Sequence, residues 1–211
     1  MSYLFTRSVR VSGNLVDAMA WSAKITEKVN QIAEIPISLW QPVMSPQINT
    51  LTWVAVVDDL AALTATDEKL MADGTYLDLM VEGAKFNAGS GVDDQLALLV
   101  HADPDGGDSA QFATTVRAVV APGSFVDGIT LGVEIAQRAK AITGRPVSFG
   151  QSTTGVYGEV AWISLYDSIE QVQAASEALG SDAEFAKLLD AKASKAYLPG
   201  QATQTISRKV M

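Results

Sequence analysis

Residues 51–63 read LTWVAVVDDLAAL, and residues 160–172 read VAWISLYDSIEQV. Trp53 matches Trp162, Asp58 matches Asp167, Leu60 matches Ile169 and Leu63 matches Val172, all at an offset of 109 residues. Working upstream, IPISLWQ from Ile35 matches RPVSFGQ from Arg145 at an offset of 110, with Pro36 on Pro146, Ser38 on Ser148 and Gln41 on Gln151. Val9-Arg10 matches Val116-Arg117 at 107. Downstream, Asp73 matches Asp182, Tyr76 matches Phe185, and FNAG (86–89) matches YLPG (197–200) at 111. Five blocks in the same order read as an internal repeat, and the drifting offset reads as small insertions and deletions in loops. The expected organisation is a first unit over 1–101, a linker over 102–110 and a second unit over 111–211.

Each copy has the same predicted element order. A strand over 3–11 alternates Val9 and Val11 with Ser8 and Arg10. A helix follows in which Leu15, Met19, Ser22, Ile25, Val29 and Ile32 share one face. Its counterpart carries Phe125, Ile129, Gly132, Ile135, Ala139 and Ile142. Both helices stop short of a proline, Pro36 or Pro146, because proline disfavours helical backbone in the residue before it. Two strands come next, 37–43 and 51–57, then a helical stretch over 60–85 broken at Asp73-Gly74, then a strand over 92–100. The order βαββαβ is the split βαβ of ferredoxin-like folds.

A single such unit has one sheet face bare of helices. Here Trp53, Ala55 and Val57 are apolar on one alternation of the strand and Val54 and Val56 on the other. A strand apolar on both sides is covered on both. The expected fold is therefore α+β, with two fused ferredoxin-like units packed sheet to sheet as a pseudo-dimeric α/β barrel. That requirement explains a hydrophobic content of 48% with only 18% charged residues.

The aromatic third strands (Trp53, Trp162), the helical pairs ending in Asp73/Tyr76 and Asp182/Phe185, and the aromatic-x-x-Gly exits at Phe86–Gly89 and Tyr197–Gly200 carry a resemblance. The chain resembles the dimeric α/β-barrel superfamily in tandem-fused form, including antibiotic-biosynthesis monooxygenase-like and NIPSNAP-like domains, over nearly its whole length. The resemblance implies anything from a cofactor-independent oxygenase or isomerase to a haem protein, so fold alone does not deliver function.

Composition narrows the field. The 211 residues carry a net charge of −9, with 15 Lys+Arg against 24 Asp+Glu, so nucleic acid is not an expected partner. No cysteine is present, which removes disulfides, thiolate metal sites and a cysteine nucleophile. No apolar run is long enough for a membrane helix, and Arg7 and Arg10 interrupt the N-terminal stretch that a signal peptide would need. A cytoplasmic protein is expected, with no membrane partner.

Candidate site residues follow from the repeat. Trp53 and Trp162, on facing sheets, and Tyr166, on the predicted face of Trp162, could stack an aromatic ligand or form core. Gln41 and Gln151 sit on otherwise apolar strand faces and read as polar groups in a cavity or as hydrogen bonds between the copies. Arg10 and Arg117 would need an anionic partner if they face the interior, and are solvated charges if they flank the sheet. His101, the single histidine, is a weak candidate for metal or haem ligation, and otherwise a strand-end histidine. Asp103, Asp105 and Asp108 in HADPDGGDS could offer oxygen ligands to calcium, but the position that should carry the closing acid is Thr114, so a polar linker is expected. Residues 89–91, GSG, lack the context of a phosphate loop and read as a turn. No catalytic signature motif appears.

The copies differ in bulk. Trp40 stands against Gly150, Trp21 against Leu131 and Val57 against Tyr166. One functional cavity at most is therefore expected, in one half. The expectation is a small-molecule enzyme or binder with a buried cavity and no cofactor. From the resemblance, its reaction would be oxygenation or isomerisation of an aromatic or polycyclic compound. The alternatives are a non-catalytic structural or interaction protein with a filled barrel, and a haem-binding protein. A homo-oligomer through the outer helices or edge strands is compatible with each.

Overall fold

The computed structural model describes residues 1–103 and 109–211, and nothing of the Ser90 side chain. The candidate calcium ligands Asp105 and Asp108 lie outside the described residues. The elements are β1 (Tyr3–Val11), α1 (Leu15–Ile32), β2 (Ser38–Met44), β3 (Thr50–Val57), α2 (Leu60–Met71), α3 (Gly74–Gly83), β4 (Asn87–His101), β5 (Phe112–Val119), α4 (Phe125–Thr143), β6 (Val147–Ser152), β7 (Glu159–Tyr166), α5 (Ile169–Ser181), α6 (Ala183–Leu188) and β8 (Thr203–Lys209). The fold is α+β, and the strands hydrogen-bond in the closed order β1-β3-β2-β8-β5-β7-β6-β4. Two compact units divide the chain, one of residues 1–96 with 208–211 and one of residues 97–207, so the division passes through β4 and beyond Ser207 in β8.

In the first unit, β1 pairs antiparallel with β3, setting Arg7 opposite Trp53 and Val9 opposite Leu51. Helix α1 starts on Asn14, whose side chain accepts from the Val16 N–H. Its buried stripe is Ala18, Trp21, Ser22, Ile25, Thr26 and Val29. This stripe packs with Val9, Leu39, Leu51 and Trp53 into one apolar cluster. Two polar members are satisfied inside it. The Thr26 hydroxyl donates to the Ser22 carbonyl at 2.6 Å and accepts the Trp53 indole N–H at 2.7 Å. Trp53 thus turns toward the helix of its own unit. Trp162 does the same, donating its indole N–H to the Gly132 carbonyl of α4 at 2.8 Å. Each tryptophan therefore points to the helix of its own unit. A lone strand cannot reveal which alternation meets its helix, and a partner for the indole N–H decides it.

The break expected in the second helical stretch is present. Helix α2 ends at Met71, and Asp73 caps α3, accepting from the Tyr76 N–H at 2.9 Å and pairing with Lys28 at 2.7 Å. Residues 89–91 do not form the expected turn. They lie inside β4, with φ of 78° at Gly89 and 76° at Gly91. Only glycine adopts such angles without strain, so the strand can run irregularly there instead of reversing.

In the second unit, β5 pairs with β7 and sets Val116 opposite Trp162. Helix α4 buries Gly128, Leu131, Gly132, Ile135, Ala136 and Ala139. Phe149 is fully buried, with its ring 5.2 Å from Trp162, and a Cβ at Gly132 would collide with it. Tyr197 packs edge-on to Trp162 at 5.4 Å and donates its hydroxyl to the Gly128 carbonyl at 2.6 Å. Burial raises the Tyr197 pKa well above the usual phenol range.

The two helix-capping aspartates give a pH prediction. Lys28 and the Tyr76 N–H lower the pKa of Asp73, and the Phe185 N–H and Arg138 lower that of Asp182. A carboxylate whose pKa is lowered by folding stabilises the fold above its unfolded value and stops doing so as pH falls through the lowered one. The melting temperature should therefore fall on acidification below about pH 4. Asp73→Asn, which can still cap, should lower the melting temperature at neutral pH and flatten that acid limb. An acid limb of unchanged slope in the variant would contradict the assignment.

Candidate functional site

A cavity of about 690 Å³ opens within the first unit, between the helix-facing side of the sheet and α1, α2 and α3. That volume falls in the roughly 300–1,000 Å³ range of small-molecule sites. Trp21, Ile25, Val29, Ile37, Trp53 and Leu70 form its apolar depth. Trp21 lies against Gly83, where a Cβ would collide with the indole, and donates its N–H to the Leu79 carbonyl at 2.7 Å. Trp21 and Trp53 meet edge-to-face at 5.9 Å, so both rings are held at fixed angles.

One corner of the cavity is polar. Arg7 on β1 and Asp94 on β4 form a two-point ion pair, Nε to Oδ1 at 2.8 Å and Nη2 to Oδ2 at 2.7 Å. The Arg7 guanidinium also lies 5.8 Å from the centre of the Phe5 ring. Asp94 raises the Arg7 pKa, so this cation is permanent. Tyr76, only 3% exposed, is the third member, and Asp67 of α2 the fourth. Burial raises the Tyr76 pKa, with Asp67 and Asp94 adding to the effect and Arg7 opposing it, both by its charge and by a hydrogen bond. Tyr76 therefore keeps its proton as a donor. Arg7 holds a fixed positive charge, and Asp67 and Asp94 supply carboxylate oxygens. Such a corner can bind a carbonyl or hydroxyl oxygen, stabilise negative charge on it and accept a proton.

The second unit has the same elements without this corner. Counted from the tryptophans, Val116 stands where Arg7 does. By the 109-residue offset Phe185 stands for Tyr76 and Ser176 for Asp67, and by the 111-residue offset Thr205 stands for Asp94. Phe149 replaces Leu39 and Tyr197 replaces Phe86, adding ring volume to the core.

Of the residues singled out by sequence, Trp53 lines the cavity. Trp162 and Tyr166 are buried elsewhere, Trp162 among Phe149 and Tyr197, and Tyr166 among Val172, Ala175, Phe112, Ile169 and Ile206. Gln41 and Gln151 are half-buried on β2 and β6. Arg10 is exposed, and Arg117 pairs with Glu159 at 3.4 Å. Arg10 and Arg117 are also not equivalent. Arg10 faces Thr50 across β1–β3, whereas Arg117 faces Ala161 across β5–β7, two positions out of step. His101 is half-buried at the end of β4, opposite Phe149 of β6. The Asp103 carboxylate is buried against Lys140 at 2.8 Å. Arg7, Asp67, Tyr76 and Asp94 escaped the sequence reading. The one signal that bore on them was the Tyr76/Phe185 match, a hydroxyl present in one copy and absent from the other.

Among the described residues, no group of three or more His, Cys, Asp or Glu side chains is placed to hold a metal ion. Nor, among them, is any helix long and apolar enough to cross a membrane.

No protein-family profile matches the chain, and no curated protein matches its sequence. Solved structures do match its fold. A candidate monooxygenase from Fusobacterium nucleatum subsp. nucleatum ATCC 25586 superposes with a TM-score of 0.72 at 10% identity, covering 100% of this chain and 93% of the other. A candidate monooxygenase from Lactobacillus acidophilus NCFM gives 0.66 at 9% identity, covering 99% and 93%. An anthrone oxidase-like protein gives 0.66 at 13% identity, covering 99% and 92%. At such identities the likeness is one of fold, α+β with eight strands hydrogen-bonded in a closed order.

Proposed function

We propose that the first unit is a cofactor-independent oxygenase acting on a polycyclic aromatic ketone or phenol. The observation that carries the reading is the charged corner of Arg7, Asp94, Tyr76 and Asp67 at one side of a mostly apolar cavity. Apolar depth with a few convergent polar groups is what orients an aromatic ligand with one oxygen function. Trp21 and Trp53 stack the rings, while Tyr76 and Arg7 take the ligand oxygen.

The chemistry then needs no group beyond the substrate and dioxygen. Asp67 accepts the acidic C–H proton, and the electron pair left behind spreads onto the ligand oxygen beside Arg7 and Tyr76. Pre-placed donors lower the cost of that charge where it develops. The electron-rich carbanion passes one electron to dioxygen. The two radicals combine into a peroxide, which takes a proton back. Loss of water leaves a new carbonyl, so each dioxygen puts one atom into product and one into water.

Likeness in fold to an anthrone oxidase-like protein supports anthrone as the first compound to try. With the protein present, oxygen uptake and the rise of anthraquinone absorbance should exceed the spontaneous rate by at least about 100-fold, as positioned acid–base catalysis supplies. A rate equal to that of heat-unfolded protein would reject oxygenation. Binding without turnover would move the reading to a carrier of such compounds, the second reading that the cavity supports.

A further inference from the structure

The cavity's corner has an unequal charge count. Arg7 is its one cation, and Asp94 holds two of that cation's N–H groups in a two-point pair. Asp67 adds a second carboxylate beside Arg7 and Tyr76. The corner thus carries a net charge of about −1 before any ligand enters, in a chain whose net charge is −9. Tyr76, the remaining polar group, is neutral and can donate. Both carboxylates belong to exposed residues, whereas Tyr76 is buried, so an entering ligand meets the carboxylates before the phenol.

We infer that Asp67 and Asp94 act as a charge filter, admitting uncharged aromatic ketones and phenols and excluding aromatic carboxylates of the same ring size. The inference rests on the cavity being an aromatic-binding site, as proposed above. Asp94 already occupies the place on Arg7 that a ligand carboxylate would take. To bind there, the ligand must compete with Asp94 for the Arg7 N–H groups and sit beside its carboxylate, where like charges repel. A hydroxyl or carbonyl asks for neither. Its oxygen accepts a hydrogen bond from the Tyr76 hydroxyl and leaves the Arg7–Asp94 pair in place. Asp67 then repels any anion that approaches by the open side.

The second unit supports this by contrast. Its counterparts to the corner are Val116, Thr205, Phe185 and Ser176, and none of these is charged. The charge count therefore belongs to the first unit's cavity.

The test uses the full chain and two probes of one ring system, 2-naphthol and 2-naphthoate, titrated calorimetrically near neutral pH. Wild-type protein should bind naphthol at least about tenfold more tightly than naphthoate, the discrimination expected of one partly solvated carboxylate at close range. Asp67→Asn should strengthen naphthoate binding about three- to tenfold relative to naphthol binding. High salt should narrow the wild-type preference in the same direction. Equal or tighter naphthoate binding by the wild type overturns the filter while leaving the aromatic site standing. Naphthoate affinity unmoved by Asp67→Asn overturns it too. Failure of both probes to bind overturns the aromatic site itself, and the filter with it.

Discussion

Replacing Phe149 with alanine is expected to destabilise the protein by about 3–5 kcal/mol, the usual range for truncating a fully buried phenylalanine. The ring has no exposed surface. It lies over Gly132 of α4, 5.2 Å from the Trp162 ring, in the cluster that also holds Tyr197 and Ile135. Alanine there removes ring–ring contact and leaves a hole that helix and sheet cannot close without shifting. Urea unfolding followed by tryptophan fluorescence measures it. A loss under about 1 kcal/mol would show that this core is not the tight one described. Gly132 supplies an internal check. Gly132→Ala alone should destabilise, because its Cβ collides with the Phe149 ring, whereas in the Phe149→Ala background the same change should be tolerated or favourable. Residues in contact give such non-additive costs.

Arg7→Met is expected to lower anthrone turnover by about 100- to 1,000-fold, the loss that follows removal of one donor aimed at a developing oxyanion. Stability should change far less. The Arg7 and Asp94 side chains are 32% and 43% exposed, and a pair so open to solvent contributes about 1 kcal/mol at most. Methionine keeps the apolar stem against Phe5 and removes the charge. Arg7→Lys should fall between wild type and Arg7→Met, because an ammonium keeps the charge and loses the two-point geometry with Asp94. Steady-state oxygen uptake together with thermal melting separates the two effects. If kcat falls less than about twofold, the corner is not where charge develops.

The match of Trp53 with Trp162 fixed the element order, and the break at Asp73-Gly74 was placed correctly from Asp and Gly alone. The match of Val9-Arg10 with Val116-Arg117 was two residues out of step with the hydrogen-bonded register. The reason is the strand's own period. A slip of two residues keeps every side chain on its face, so alternation cannot detect it, and only cross-strand pairing can. That slip hid Arg7, which faces Trp53, behind Arg10, which is exposed.

The rest of the corner was hidden for a different reason. Arg7 and Asp94 are 87 residues apart and Tyr76 lies on a helix between them. Nothing in a linear pattern says that a cation on one strand and a carboxylate on another share a wall. Gly83 and Gly132 show the same limit. Each is an unremarkable helical residue in the sequence, and each is where an aromatic ring closes onto a helix, Trp21 in one unit and Phe149 in the other.

By itself the sequence determined the α+β class, the βαββαβ order and the inequality of bulk between the two halves, because these follow from period, capping and composition. The tertiary structure decided which strand face meets the helices, which of two near-identical registers is real, and that the first unit keeps an open, charged corner where the second is packed with rings. Those depend on contacts between residues far apart in the chain, where the energy of a pairing and the volume of a ring are settled only once both partners are in place.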